Sequence, residues 1–379
     1  MEPRVIVNGI GARAVAGLAG ENVLVSPSAV SRDLAVLAGG ADIPAGGGRG
    51  IAGLLGAGSL ADVRRLADAL ARRTDPGSGD AEVEASDLLV VNTRSGCSVS
   101  DVYRGWLDEF DRVGIASFDL SEHLDDARRA ISSWASDSTG GHMEGYVPEL
   151  DGATDIALYD SLHISGMWEN GFDQSSTRAG RFTLADSGTI QVMMMRSRGR
   201  FRYREDAGYR AVAMDLRGGL AVCAVISADG RPDMGRIWAE EDPGFRSGLI
   251  DALLDSPYAD VRLSFPRTEV SVRTDLMDIL AALGMPDGIE LPRIADRPLR
   301  LAGGSQAVRL SIGENGLEAS AVIENLICRC ALMPDVPIDF DVDIPFALIV
   351  RDEGNGTDLI SGCIGNPGGG RPARRPEHR

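Results

Sequence analysis

The chain has 379 residues, 44% of them hydrophobic, a formal charge of −18 and an isoelectric point near 4.7. That balance argues against a nucleic-acid or anionic-membrane partner, since both need basic patches. No run of eighteen apolar residues appears, so no membrane span is expected, while the apolar content is enough for a sizeable core.

The first stretch, MEPRVIVNGIGARAVAGLAGENVLV, has no basic region followed by a long apolar run, so a soluble, cytoplasmic protein is expected. The first third then reads mainly helical. SPSAVSRDLAVLAGG offers Ser26 as an N-cap, Pro27 at the first helical position and glycines at its end. SLADVRRLADALARR is an amphipathic helix with a Ser cap. AEVEASDLLVVNTR reads as a strand, DVYRGWLDEFDRV and LDDARRAISSWASDST as helices, and TDIALYDSLHISG as a strand covered on both faces. Short strands follow in RFTLADSGTIQVMMM, FRYRED, YRAVAMDLRG and LAVCAVISA, separated by turn signals. Then come a helix (DPGFRSGLIDALLDS), a strand (ADVRLSFPR), a second helix (RTDLMDILAALG) and the strand AVRLSIGE. Two closing strands, IPFALIVRD and GTDLISGCIG, flank a glycine-rich hairpin loop. With no internal repeat or linker, the pattern predicts one α+β domain over residues 1–367 and a disordered Gly/Pro/Arg tail over 368–379.

Catalytic chemistry is not legible. Cys97, Cys223, Cys328, Cys330 and Cys363 are scattered and odd in number, which suits neither a disulfide framework nor a zinc site. His123, His142, His163 and His378 accompany no G-x-S-x-G turn, and His163 reads as a core histidine in an apolar strand. AGGGRGIAG at 45–53 lacks the Gly-Lys-Ser/Thr ending of a phosphate cradle. No cofactor, metal or enzymatic role is expected.

One stretch is in conflict with itself. In GENGLEASAVIEN, Leu317, Ala319, Ala321 and Ile323 would share one face of a strand, and Glu318, Ser320, Val322 and Glu324 the other. Yet Glu-Ala-Ser-Ala is poor in strand formers. The pattern suits a strand, while the propensity leaves the segment free to be something else first.

Ordered landmarks along residues 20 to 367 resemble the serpin family. They are ENVLVSPSAVSRDLAVLAGGA, SSWASDSTGGHMEGYVPEL, DSLHISGMWENGF, and IPFALIVRD followed by GTDLISGCIGNP. The resemblance implies a single domain with a large central mixed sheet, helices packed on it, further antiparallel sheets and an exposed reactive-centre loop. It implies a monomeric inhibitor of a serine or cysteine protease. The loop is cut, inserts as a strand into the main sheet, and traps the acylated protease. The alternative is a non-inhibitory binding protein whose loop is only a substrate.

Carried over position by position, the resemblance implies a hinge of Glu314, Gly316, Leu317, Glu318, Ala319, Ser320, Ala321, Val322 and Ile323. Leu317 and Ile323 stand where the family has threonines and Val322 where it has alanine, so insertion remains feasible but bulkier. The reactive bond falls at Arg329–Cys330 or Cys330–Ala331. Beneath the sheet the shutter comprises Ser26, Asp160 and Gln306, the last two replacing the family's Asn and His, and these are expected to be in contact. Trp168 corresponds to the tryptophan of the breach. Arg267 is expected to pair with Glu314 at the hinge base.

Overall fold

The computed structural model describes residues 2–42, 50–71, 81–138, 141, 146–232, 237–238, 243–286, 288–317 and 336–369. The chain opens with helix α1 (Pro3–Gly17), strand β1 (Asn22–Val25) and helix α2 (Pro27–Ala38). Ser26 caps α2 by accepting from the Ala29 amide. The short α3 (Ile51–Leu54) and α4 (Leu60–Ala71) lead to β2 (Ala81–Asn92). Ser59 caps α4 through the Asp62 amide.

The expected helix over DVYRGWLDEFDRV is cut short. Helix α5 (Asp101–Leu107) stops there, Arg112 turns with φ of 54°, and β3 (Val113–Phe118) begins. Parallel pairing with β2, Asp87 against Val113 through Asn92 against Phe118, outweighs local helix propensity. Helix α6 (Leu124–Ser138) and β4 (Ile156–Met167) follow as expected.

The middle holds β5 (Arg178–Thr183), β6 (Thr189–Asp206), β7 (Tyr209–Leu216) and β8 (Leu220–Ser227). QVMMM and FRYRED are one unbroken strand, because Gly199 continues the ladder with β9 (Tyr258–Pro266). Helix α7 (Pro243–Leu254) precedes β9. Before helix α8 (Leu276–Ala282) lies β10 (Thr268–Asp275), a strand absent from the sequence reading. The remainder is β11 (Glu290–Leu291), β12 (Leu299–Gly313), β13 (Gly316–Leu317), β14 (Ile338–Asp341), β15 (Phe346–Asp352) and β16 (Thr357–Ile364).

Among the described residues the strands make two sheets. One runs β1-β16-β15-β8-β7-β6-β9-β14 with β5 on β6; the other runs β10-β12-β13-β4-β2-β3 with β11 on β12. Apolar side chains of both sheets meet in one core, which includes Leu162, Ile164, Val308, Leu310 and Leu317 against Val222, Phe265 and Leu348. A second core joins α1, α2 and α8 to the opposite face of β7, β8 and β15 and to the far ends of β2 and β4, through residues such as Leu34, Ala213, Cys223, Leu89 and Leu158. Helix α6 covers the opposite face of β2 and β4 with Ala127 and Ile131. The pair β2–β4 is thus buried on both faces, which explains its near-continuous apolar run.

Candidate functional site: a forked strand pair and a buried carboxylate cluster

β4 and β12 are parallel neighbours from Leu301 beside Ile156 to Val308 beside Leu162. Beyond that point β13 stands between them. It is antiparallel to β12, with Ile312 opposite Leu317 and Gly313 opposite Gly316, and antiparallel to β4, with Gly316 opposite Met167 and Leu317 opposite Gly166. The first residues of the expected hinge therefore already occupy the mouth of the fork. Leu317 is 1% exposed. Gly316 has φ of +152°, and a Cβ there would lie 1.9 Å from the Gly166 carbonyl oxygen, so only glycine fits.

The turn that reverses β12 into β13 is pinned from outside. Trp168 donates its backbone N–H to the Asn315 carbonyl at 3.0 Å and its indole Nε1–H to the Gly313 carbonyl at 2.9 Å. The Phe172 amide donates to the Glu314 carbonyl, and its ring packs edge-on to Trp168. Arg267 donates to Glu314 Oε1 at 2.5 Å, and Thr177 Oγ1 donates to the same oxygen at 2.8 Å. Burial pulls the Glu314 carboxyl upward, but the bonds from Arg267 and Thr177 outweigh it and hold the group below its ordinary value.

Lower in the sheet, Ser26, Asp160 and Gln306 come together. Gln306 is fully buried. Its Oε1 accepts from the Ser26 amide at 2.7 Å, and its Nε2 donates to Asp160 Oδ1 at 3.2 Å and to the Ser26 carbonyl at 3.4 Å. Asp160 and Gln306 are also register partners in the parallel pair. The remaining hinge residues, Glu318, Ala319, Ser320, Ala321, Val322 and Ile323, and the reactive-bond residues Arg329, Cys330 and Ala331, lie outside the described residues, as does the expected tail beyond 369. On the far side of that segment the chain enters β14, parallel to β9.

Two residues that sequence reasoning did not single out complete this region. Asp87 on β2 sits directly opposite Asp160 in the antiparallel β2–β4 ladder. Asp33 on α2 lies within hydrogen-bonding reach of Asp160. All three carboxyls are buried. One guanidinium, Arg32, reaches Asp87 Oδ2 at 2.6 Å. Desolvation drives all three upward: Asp33 well above the ordinary range, Asp87 to about 6 against the pull of Arg32, and Asp160 to about 8, where the Asp87 charge adds to the rise and bonds from Asp33 and Gln306 oppose it. The signal in the sequence is that each aspartate interrupts an apolar run, in SRDLAVLA, SDLLVV and ALYDSL. Among the described residues no cluster could hold a metal ion, and no helix is long and apolar enough to cross a membrane.

This architecture, with a strand begun in a fork between β4 and β12, has a family. The family model for Serpin (serine protease inhibitor) matches residues 12–367, and the chain belongs to the serpin family. A serpin-like protein of Thermococcus kodakarensis is 24% identical over 279 residues, covering 72% of this chain and 64% of the relative. A serine protease inhibitor of Cyanea capillata is 24% identical over 370 residues, covering 92% and 93%. The alignments with the first five curated relatives span only 55% to 64% of those proteins. The solved structure of Arabidopsis AtSerpin1 in its native stressed conformation superposes with a TM-score of 0.81 at 20% identity, covering 96% of this chain and 98% of that one. The fold is the serpin fold.

Proposed function

We propose that this protein is a serpin-type protease inhibitor acting once per molecule, as a monomer. The segment from Glu314 to Pro334 is offered to a serine or cysteine protease and cut at Arg329–Cys330 or Cys330–Ala331. An arginine before the bond suits a trypsin-like pocket lined by an acid. The hinge then enters the fork between β4 and β12 as a full strand and the acylated protease is carried with it. The inhibitor supplies no catalytic group. The observation that carries this reading is the pairing of Gly316 and Leu317 with both flanking strands, which sets the register any following residue would take. The two loop thiols, Cys328 and Cys330, favour a reducing compartment such as the cytoplasm.

The bulk of Val322 and Ile323 favours a second reading, a serpin-fold binding module whose loop is merely cut. Incubation with trypsin-like, chymotrypsin-like and subtilisin-like proteases, followed by a denaturing gel, separates the two. A covalent adduct stable to denaturation is the expected result. Cleavage without adduct but with a large rise in melting temperature means insertion without trapping. Cleavage with no rise leaves the binding module.

A further inference from the structure

The outer face of β6, β9 and β14 concentrates arginine in a chain whose net charge is −18. Arg196, Arg198 and Arg200 lie two apart on β6, so they share a face. The ladder sets Ser264, Arg262 and Asp260 of β9 opposite them. β14 adds Asp341 beside Ser264 and Asp339 beside Arg262. Arg178 enters from the start of β5, opposite Met194, two residues before Arg196.

Like charges set directly opposite one another cost stability, and Arg198 faces Arg262. Each of these two is answered by an acid. Arg198 holds Asp260 through two bonds, Nε to Oδ1 at 3.2 Å and Nη2 to Oδ2 at 2.7 Å, and Arg262 Nε meets Asp339 Oδ1 at 3.0 Å. Arg178 and Arg196 have no such answer. Arg178 donates to the Thr177 carbonyl at 2.8 Å, and neither it nor Arg196 meets a carboxylate among the described residues.

These strands leave a groove of about 540 Å³, within the roughly 300–1,000 Å³ of small-molecule sites. Ser264 lines it at 8% exposure, and its hydroxyl has no hydrogen-bond partner among the described residues. A hydroxyl taken out of water without a partner is costly, and a ligand acceptor relieves that cost. The charged groups lining the groove are Arg178, Arg196, Arg198 and Arg262 against Asp339 and Asp341. Charges farther off than about 8 Å are largely screened at physiological salt, so this local excess of cations outweighs the acidity of the whole chain. Asp341 repels an anion from the β14 bank and leaves it the β5–β6 side. Guanidinium forks match the oxygens of phosphate, and each such bond is charge-assisted.

We propose that this groove binds a small phosphate-rich anion, with the guanidiniums of Arg178 and Arg196 and the hydroxyl of Ser264 as its donors. The site lies apart from the fork, and neither the exposed loop nor strand insertion takes part in it.

The test titrates tripolyphosphate, orthophosphate and dextran sulfate separately into the intact protein at low salt, followed by calorimetry. Tripolyphosphate should bind once per chain, several-fold more tightly than orthophosphate, and should weaken as salt is raised. Replacing both cations, Arg178→Ser with Arg196→Ser, should lower affinity about tenfold or more, the factor carried by one hydrogen bond to a charged group. Arg129→Ser, at a site on α6 whose side chain is 74% exposed, should leave affinity unchanged. Asp341→Asn should tighten binding several-fold, a gain that no loss of folding can imitate. Absence of saturable tripolyphosphate binding, an equal loss in Arg129→Ser, or an Asp341→Asn affinity no better than wild type would each overturn the site. Uptake of dextran sulfate without uptake of tripolyphosphate would overturn the assignment of a small anion.

Discussion

Gln306 on β12 and Asp160 on β4 are joined across a parallel strand pair, Nε2 to Oδ1 at 3.2 Å, and the same amide closes on both backbone polar atoms of Ser26. Each buried group left without a partner costs about 1–3 kcal/mol. Gln306→Ala orphans the Ser26 amide and removes a donor from Asp160, so we expect a loss of about 2–6 kcal/mol, the sum of those two. Urea denaturation of intact protein measures it. An unchanged midpoint would show that water replaces the amide.

Arg267 is half exposed while its partner Glu314 is 7% exposed at the side chain. Arg267→Ala should cost about 1–3 kcal/mol, below the value for a fully buried pair because the guanidinium is half solvated. Since the Glu314 carboxyl is held below its ordinary 4.5 in the folded chain, the stabilisation is present above that pH and disappears as pH falls through the depressed value. The difference between wild type and Arg267→Ala should therefore close on acidification below 4.5, as read from denaturation midpoints.

The carboxylate cluster has the opposite sign. Its folded-state values are raised above the ordinary 3.8, so its contribution to stability is greatest below that pH and is lost as pH climbs through about 6 for Asp87 and about 8 for Asp160. The midpoint of intact protein should decline between pH 5 and pH 8. In Asp160→Asn the decline should be shallower, and parallel curves would remove Asp160 as its source.

Gly316→Ala cannot be accommodated where β13 runs, because the added Cβ meets the Gly166 carbonyl. The expected response is withdrawal of β13 from the fork. The burial of Leu317, worth about 1.5–3 kcal/mol, goes with it. Hydrogen exchange at residues 166–168 and 312–317 should quicken. Protection equal to wild type would mean that the sheet yields instead.

Trp168→Phe retains an aromatic ring against Phe172 but deletes the indole donor to the Gly313 carbonyl. A loss of about 0.5–1.5 kcal/mol is expected from that single bond. Trp168 is 3% exposed, so its fluorescence should be absent from the variant's blue-shifted emission.

Much of this was legible in the residues. Ser26 and Pro27 announced α2, and the closing hairpin followed from its glycines, while the alternation beyond Leu317 falls outside the described residues. The failures have physical causes. The expected helix over 101–113 runs past the true end of α5 at Leu107, and β3 is absent from the sequence reading because its pairing with β2 is invisible to local propensity. β10 alternates only over its first residues, with Val270 inward and Glu269 and Ser271 outward, and then gives way to the helix signal of Leu276–Ala282, so its local pattern is short. The roles of Asp33 and Asp87 are not legible locally, because a charge in an apolar run carries no mark of what it faces. How far β13 enters the fork depends on competition between two neighbours distant in sequence, which no local pattern encodes.

Because β13 lies antiparallel to both of its flanks, each further residue laid between them replaces a single interstrand seam with two. On the proposed insertion reading, each added residue would thus be held on two sides as it arrives, with the two residues of β13 as the first so held.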